Sequence, residues 1–274
     1  MNDLYFTLQD ADYWYEVHGE KGIPLVLLHG FTGSTKTWQF FVEQRPEQFQ
    51  LIVVDLPGHG KTKTKQLKSM EDCCADLKKL FDELGLQKFH LAGYSMGGRT
   101  ALSFAMFYPE SIVSLILESA SPGLEEVEER KERVEKDEEL ARKLETEGIE
   151  SFVHFWENLP LFATQKHLTV SLQDSIRRGR LAQSASGLAA SLRSMGTGQQ
   201  PSWWHLLGNL KLPVLLLVGE LDTKYVELNQ KMQAKLSAGE HVVCQDTGHA
   251  VHIEDEQLFI DHVVRFITER EDIS

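Results

Sequence analysis

No apolar run in the chain approaches the roughly 18 residues that a bilayer-crossing helix needs, which argues against a membrane-spanning protein. Cysteine is scarce: Cys73, Cys74 and Cys244 form an odd set with two members adjacent, a pattern that does not read as a disulfide framework. Positive charge is in deficit, with 28 lysines and arginines against 41 acidic residues and a net charge of −13. That balance argues against nucleic acid or an anionic membrane surface as a partner, so an anionic small molecule would have to be held by local cations. The opening stretch, MNDLYFTLQDADYWYEVHGE, lacks a basic region followed by an apolar one, and no signal peptide is visible in it. Together these absences predict a reduced, soluble, cytoplasmic protein. No P-loop, dinucleotide glycine loop or cluster of metal ligands is legible either, so neither a metal nor a cofactor is expected. Oligomeric state is left open.

What is present is ordinary in composition, 42% hydrophobic and 25% charged, and 274 residues suffice for one large core or a core with a sizeable insertion. Short continuous apolar runs recur: IPLVLLHG (23–30), FQLIVVDLPGHG (49–60), FHLAGYSMGG (89–98), SIVSLILESA (111–120), LPVLLLVGELD (212–222) and HVVCQDTGH (241–249). Continuous rather than alternating, they predict parallel strands buried on both faces. Helical patterns such as MEDCCADLKKLFDELGL (70–86) and TALSFAMFYPE (100–110) lie between them, which predicts right-handed crossovers and a sheet covered on both sides. The alternation breaks between about Ser121 and Gln200, where a charged helix, an aromatic patch and further helix predict an insertion between two strands. No internal repeat appears.

Gly93-Tyr94-Ser95-Met96-Gly97 has the G-x-S-x-G pattern between a predicted strand and a predicted helix. Such a turn pushes the serine into a strained, exposed position and aims the amide of the next residue, Met96, at the reacting centre. A serine hydroxyl needs a histidine to take its proton and a carboxylate to orient that histidine. The chain order on this kind of scaffold is serine, acid, histidine, which selects Asp222 in GELD and His249 in DTGHAVHIE, both in loops after strands. Glu118 also ends a strand and competes as the acid, although Asp222 has the better loop context. His252 follows His249 by three residues, yet no further ligand completes a metal site, so a surface or supporting role is expected for it. His29 and His59 are expected to pack loops. A second oxyanion donor is expected from His29-Gly30-Phe31-Thr32-Gly33, and we assign it to the amide of Phe31, paired with that of Met96.

Arg99 projects from nearly the same helix face as Ser95, one turn on. Burying a guanidinium without an anion is costly, so it needs a partner: a substrate carboxylate, or an acid that ties the helix to the insertion.

HGFTGS, DLPGHGKT, GYSMGG, GELD and GHAVHIED together resemble the α/β-hydrolase superfamily over nearly the whole chain. The resemblance implies a mostly parallel sheet flanked by helices, with residues 1–120 and 201–274 forming the core and 121–200 a helical cap. Within that superfamily, GYSMGGR, ESASPGLEEVEERKER, FWENLPLF, RLAQSASGLAASLRSMGTGQQPSWW and GELDTKY resemble the 2-succinyl-6-hydroxy-2,4-cyclohexadiene-1-carboxylate synthases of menaquinone biosynthesis. This implies a lyase that expels pyruvate from a small polycarboxylate, with Ser95 as the proton-abstracting group. The same resemblance implies that Arg133, Trp156 and Arg180 line the pocket with Arg99, where guanidinium groups suit carboxylates through paired hydrogen bonds. Arg130 competes with Arg133, and Arg177 and Arg178 with Arg180; most charges between Glu125 and Glu147 otherwise read as a solvated helix face. Tyr94, inside the turn, is a further candidate for substrate contact. The rival readings are a hydrolase of esters or carbon–carbon bonds on the same scaffold, and a binding module with no chemistry, against which the intact serine, acid and histidine count.

Overall fold

The apolar runs become strands in the computed structural model, which describes residues 5–271. In chain order the strands are β1 (Tyr5–Thr7), β2 (Ala11–His18), β3 (Ile23–Leu28), β4 (Phe49–Val54), β5 (Lys63–Thr64), β6 (Phe89–Tyr94), β7 (Ile112–Glu118), β8 (Val214–Gly219) and β9 (Gly239–Cys244). They make one sheet in the order β1-β2-β4-β3-β6-β7-β8-β9, with β5 paired to β2. From β4 to β9 every neighbouring pair is parallel. All residues of β6 and β8 are buried, which is why these strands read as unbroken apolar runs. The sequence reading gave no strands before residue 23. β1 and β2 pair antiparallel at the sheet edge, β2 is only partly buried, and its mixed composition hides it from a search for continuous apolar runs.

The helices are α1 (Gln39–Glu43), α2 (Met70–Glu83), α3 (Met96–Phe107), α4 (Val127–Trp156), α5 (Val170–Leu181), α6 (Ala185–Met195), α7 (Thr223–Gln233), α8 (Val251–Glu254) and α9 (Glu256–Glu271). α2 shows why they form. Met70, Cys73, Cys74, Leu77, Leu80 and Phe81 recur at helical spacing and bury one face against the sheet. Ser69 and Asp72 close a capping box at its start, and Gly85, at φ 72°, turns the chain out just after its end. The helix therefore stops at Glu83 rather than continuing to residue 86. α3 begins at Met96, so Ser95 sits directly at its start, as the placing of Arg99 one turn behind it requires. Phe104 of α3 and Met232 of α7 pack on the same sheet face as α2, while Phe41 of α1 and Phe259, Val263 and Phe266 of α9 cover the other. The three cysteine thiols are free and buried.

Between β7 and β8 the chain leaves the sheet and builds α4, α5 and α6 with a core of their own, where Ala141, Leu144 and Phe152 meet Leu188, Ala189 and Leu192. This cap sits close on the sheet layer: a Cβ at Gly58 would run into the carbonyl of Gly187, and the Gly60 amide donates to Gln183 Oε1 at 2.9 Å. No helix among the described residues is long and apolar enough to cross a membrane.

α4 is broken at Gly148, whose φ of 80° and ψ of 176° lie outside any helical basin. The break separates the part carrying Arg133 from the part carrying Phe152 and Trp156. A Cβ placed on Gly148 meets nothing within 4 Å, so only backbone strain opposes a side chain there. Gly148→Ala should thus cost about 1–3 kcal/mol through backbone strain alone. Thermal melting should show the loss, and hydrogen exchange should place the extra opening in residues 149–156 rather than in the sheet.

Candidate active site

The parallel strands end together. Leu28 pairs with Gly93, Tyr94 with Glu118, and Glu118 with Leu217, so the loops after β3, β6, β7 and β8 gather at one sheet edge. Ser95 stands there with φ 49° and ψ −105°, a strained backbone for a residue with a side chain. Its amide donates to the Glu118 carbonyl at 2.8 Å. Gly97 is required next to it, because a Cβ would run into the carbonyls of Leu28 and His29.

His249 Nδ1 lies 2.6 Å from Asp222 Oδ2, and its Nε2 lies 3.2 Å from Ser95 Oγ. A carboxylate only accepts, so Nδ1 donates to Asp222 and the Nε2 lone pair faces the serine hydroxyl. Asp222 is carried at the start of α7, and Tyr225 one turn later lays its ring 4.8 Å from that of His249. Glu118, the competing acid, is engaged elsewhere: its carboxylate accepts from the His252 amide at 3.0 Å and from His252 Nδ1 at 2.8 Å.

Among the described residues the amides of Phe31 and Met96 find no acceptor within the protein. Met96 is the first residue of α3, where an amide has no intrahelical acceptor, and Phe31 is only partly buried, so both amides are open to an acceptor from outside the protein. The loop bearing Phe31 is pinned by His29, whose Nδ1 donates to the Gly30 carbonyl at 2.8 Å and whose Nε2 accepts from the Leu56 amide at 3.0 Å. Burial holds the pKa of His29 down to about 4, which keeps this donor–acceptor pattern intact at neutral pH. His59 stacks beside it at 5.1 Å and donates to the Pro57 carbonyl; burial, with His29 adding repulsion, brings it to about 3.

Arg99 is buried, only 9% exposed. Its Nη1 donates to the Met195 carbonyl at 2.9 Å and to Gln200 Oε1 at 2.6 Å, both on the cap side. Neither partner is charged, so the ion pair that offered an alternative at the sequence level does not form. Burial, and then repulsion from Arg133, pulls its pKa down to about 10. That shift is worth roughly 3 kcal/mol against the charged form. Arg133 is half exposed and gives its Nε to the buried Asp137 at 2.8 Å. Arg180 is 8% exposed, donates to Gln165 Oε1 at 2.9 Å and lies over the Phe162 ring. Of their competitors, Arg177 pairs with Glu157. Trp156 stands 5.2 Å from the Phe31 ring, and its buried Nε1 has no partner. Tyr94 packs its ring against those of His249 and His252, which requires Gly30 to lack a Cβ.

The candidates do not share one wall. A cleft of about 780 Å³ is lined by Phe31, Tyr94, Phe162, Arg178 and Arg180, whereas Ser95, Arg99, Arg133 and Trp156 are outside its lining. The sequence reading missed Tyr225, Gln200 and Asp137. Tyr225 stood inside the quoted GELDTKY without a role, and the other two become visible only through contacts with distant arginines.

A family model for the alpha/beta hydrolase fold matches residues 23–256. A Bacillus subtilis (strain 168) protein, provisionally named a 2-succinyl-6-hydroxy-2,4-cyclohexadiene-1-carboxylate synthase, is 44% identical over 89% of this chain and 90% of its own length. An Escherichia coli O1:K1 synthase of that name is 32% identical over 87% of this chain and 91% of its own. The solved structure of MenH from S. aureus is 36% identical, covers 96% of this chain and 100% of its own, and superposes with a TM-score of 0.91.

The two buried histidines behind the Phe31 loop make the fold acid-sensitive. As pH falls below 6.5 the unfolded chain protonates imidazoles that the folded protein leaves neutral down to about 4 and about 3. Stability therefore falls with falling pH across that window, by about 3 kcal/mol from His29 alone. Urea unfolding at pH 7 and at pH 4.5 should show the drop, and His59→Phe should make it smaller.

Proposed function

The chain belongs to the α/β-hydrolase family, and from that premise we propose that it works as a lyase of menaquinone biosynthesis. It eliminates pyruvate from 2-succinyl-5-enolpyruvyl-6-hydroxy-3-cyclohexene-1-carboxylate and leaves 2-succinyl-6-hydroxy-2,4-cyclohexadiene-1-carboxylate. The names and the extent of the relatives support the reaction. The observation that carries it in this chain is Arg99, a buried cation one helical turn behind Ser95 with only neutral acceptors around it. A carboxylate of the substrate supplies the missing charge, whereas a neutral ester leaves that charge unmatched.

In this reading Ser95 is the base. Asp222 holds the His249 tautomer, His249 Nε2 draws the hydroxyl proton, and the alkoxide takes the ring proton next to the succinyl ketone. The C–H pair becomes an enolate whose oxygen is met by the amides of Phe31 and Met96, donors fixed before the charge arrives. As the enolate re-forms its ketone, the pair moves into a double bond between ring carbons 2 and 3, the pair of the existing double bond between carbons 3 and 4 shifts to carbons 4 and 5, and the C–O bond from carbon 5 to the enolpyruvyl group breaks. Pyruvate leaves as its enolate and is protonated at carbon. No acyl-enzyme forms. Arg133, Arg180 and the Trp156 N–H grip the remaining carboxylates, and Tyr94 closes the wall beside His249.

A paired assay decides between this reading and ester hydrolysis. The lyase releases pyruvate from the enolpyruvyl substrate and leaves short neutral esters essentially uncut, and Ser95→Ala loses roughly 10³-fold or more of the pyruvate release. Efficient ester cleavage with no pyruvate release would move the assignment to a hydrolase.

A further inference from the structure

A second carboxylate–imidazole pair lies behind the first and has no part in the scheme above. Glu118, the last residue of β7, accepts from His252 on its carboxylate twice: from the amide at 3.0 Å, and from the one Nδ1–H shared between both oxygens at 2.9 and 2.8 Å. Neither side chain is more than 1% exposed. The pair sits among aromatic rings, with Tyr94 at 4.5 Å, Trp38 at 5.0 Å and Phe259 at 5.9 Å from the His252 ring. Such surroundings would accept an apolar pair of similar volume at no loss of stability, so packing alone does not account for a buried carboxylate.

The connectivity does account for it. The main-chain carbonyl of Glu118 receives the Ser95 amide at 2.8 Å, while its carboxylate holds the residue three places after His249. One residue thus grips both the strained serine and the loop that carries its histidine. Hydrogen bonds fix distance and angle, whereas ring packing tolerates sliding. The Ser95–His249 contact, at 3.2 Å, lies between two loops; Asp222 and the rings of Tyr94 and Tyr225 orient the imidazole, and Glu118 is the residue that bonds to both loops.

We propose that Glu118 and His252 are positioning residues that set the Ser95–His249 distance. The proposal rests on reading Ser95 and His249 as the proton-transfer pair. With both side chains at most 1% exposed, their loss is expected to lower kcat and leave KM in place.

Three variants test this against a packing role: His252→Asn keeps a donor where Nδ1 was, His252→Phe keeps the ring without the donor, and Glu118→Leu with His252→Phe makes the whole pair apolar. The double variant guards against misfolding from an unpaired carboxylate and should melt at or above the wild-type temperature. Expected are a kcat for His252→Asn within about fivefold of wild type, and losses of about 30-fold or more for the other two with KM changed less than about threefold. A double variant with wild-type kcat, or His252→Phe outperforming His252→Asn, overturns the proposal. Phosphonylation of Ser95 by a fluorophosphonate reads the serine–histidine pair without the substrate. A wild-type protein that releases no pyruvate therefore sinks the lyase reading, while the labelling rates, expected in the same order, still decide for or against the positioning role.

Discussion

A buried guanidinium with no carboxylate hydrogen-bonded to it organises this molecule. Arg99 is kept in place by a carbonyl and an amide from the cap, which satisfy hydrogen-bond geometry without supplying a charge, while Asp137 acts on it only from beyond hydrogen-bond contact. A fold that carries such a cost, roughly 3 kcal/mol, gains nothing from it in isolation. It suits an anion, and it ties the cap to the helix that begins at the serine, because its acceptors are Met195, the last residue of α6, and Gln200 just beyond it.

The second constraint is the common end of the parallel strands. It brings the strained serine, the loops bearing the Phe31 and Met96 amides and the histidine loop to one sheet edge, and His249 Nε2 lies 3.2 Å from Ser95 Oγ although the two residues are 154 apart in sequence. Pre-set donors of this kind favour any developing oxyanion, tetrahedral or enolate. The scaffold therefore does not choose the reaction. Arg133 with Asp137 and Arg180 with Gln165 hold further guanidinium groups in defined orientations, consistent with a polycarboxylate ligand.

Much of this was legible in the residues. Parallel central strands announce themselves as unbroken apolar runs, and the glycines around Ser95 mark a turn that no bulkier sequence could make. Strands β1 and β2, at one side of the sheet, escaped because few of their residues are fully buried and polar residues interrupt the apolar pattern. The relation of Glu118 to His252 was misjudged for a different reason. Each was weighed alone, one as a rival acid and the other as a surface or supporting histidine, and only the fold reveals that they bind each other across 134 residues. Gln200 as the acceptor for Arg99 is equally invisible, being 101 residues away and unremarkable in composition.

The most direct measurement of the central claim is calorimetric titration of the enolpyruvyl substrate into Ser95→Ala protein, with and without Arg99→Gln. If the substrate carboxylate completes the buried charge, affinity falls by about 30-fold or more when the guanidinium is removed. An affinity unchanged by that substitution would contradict the account.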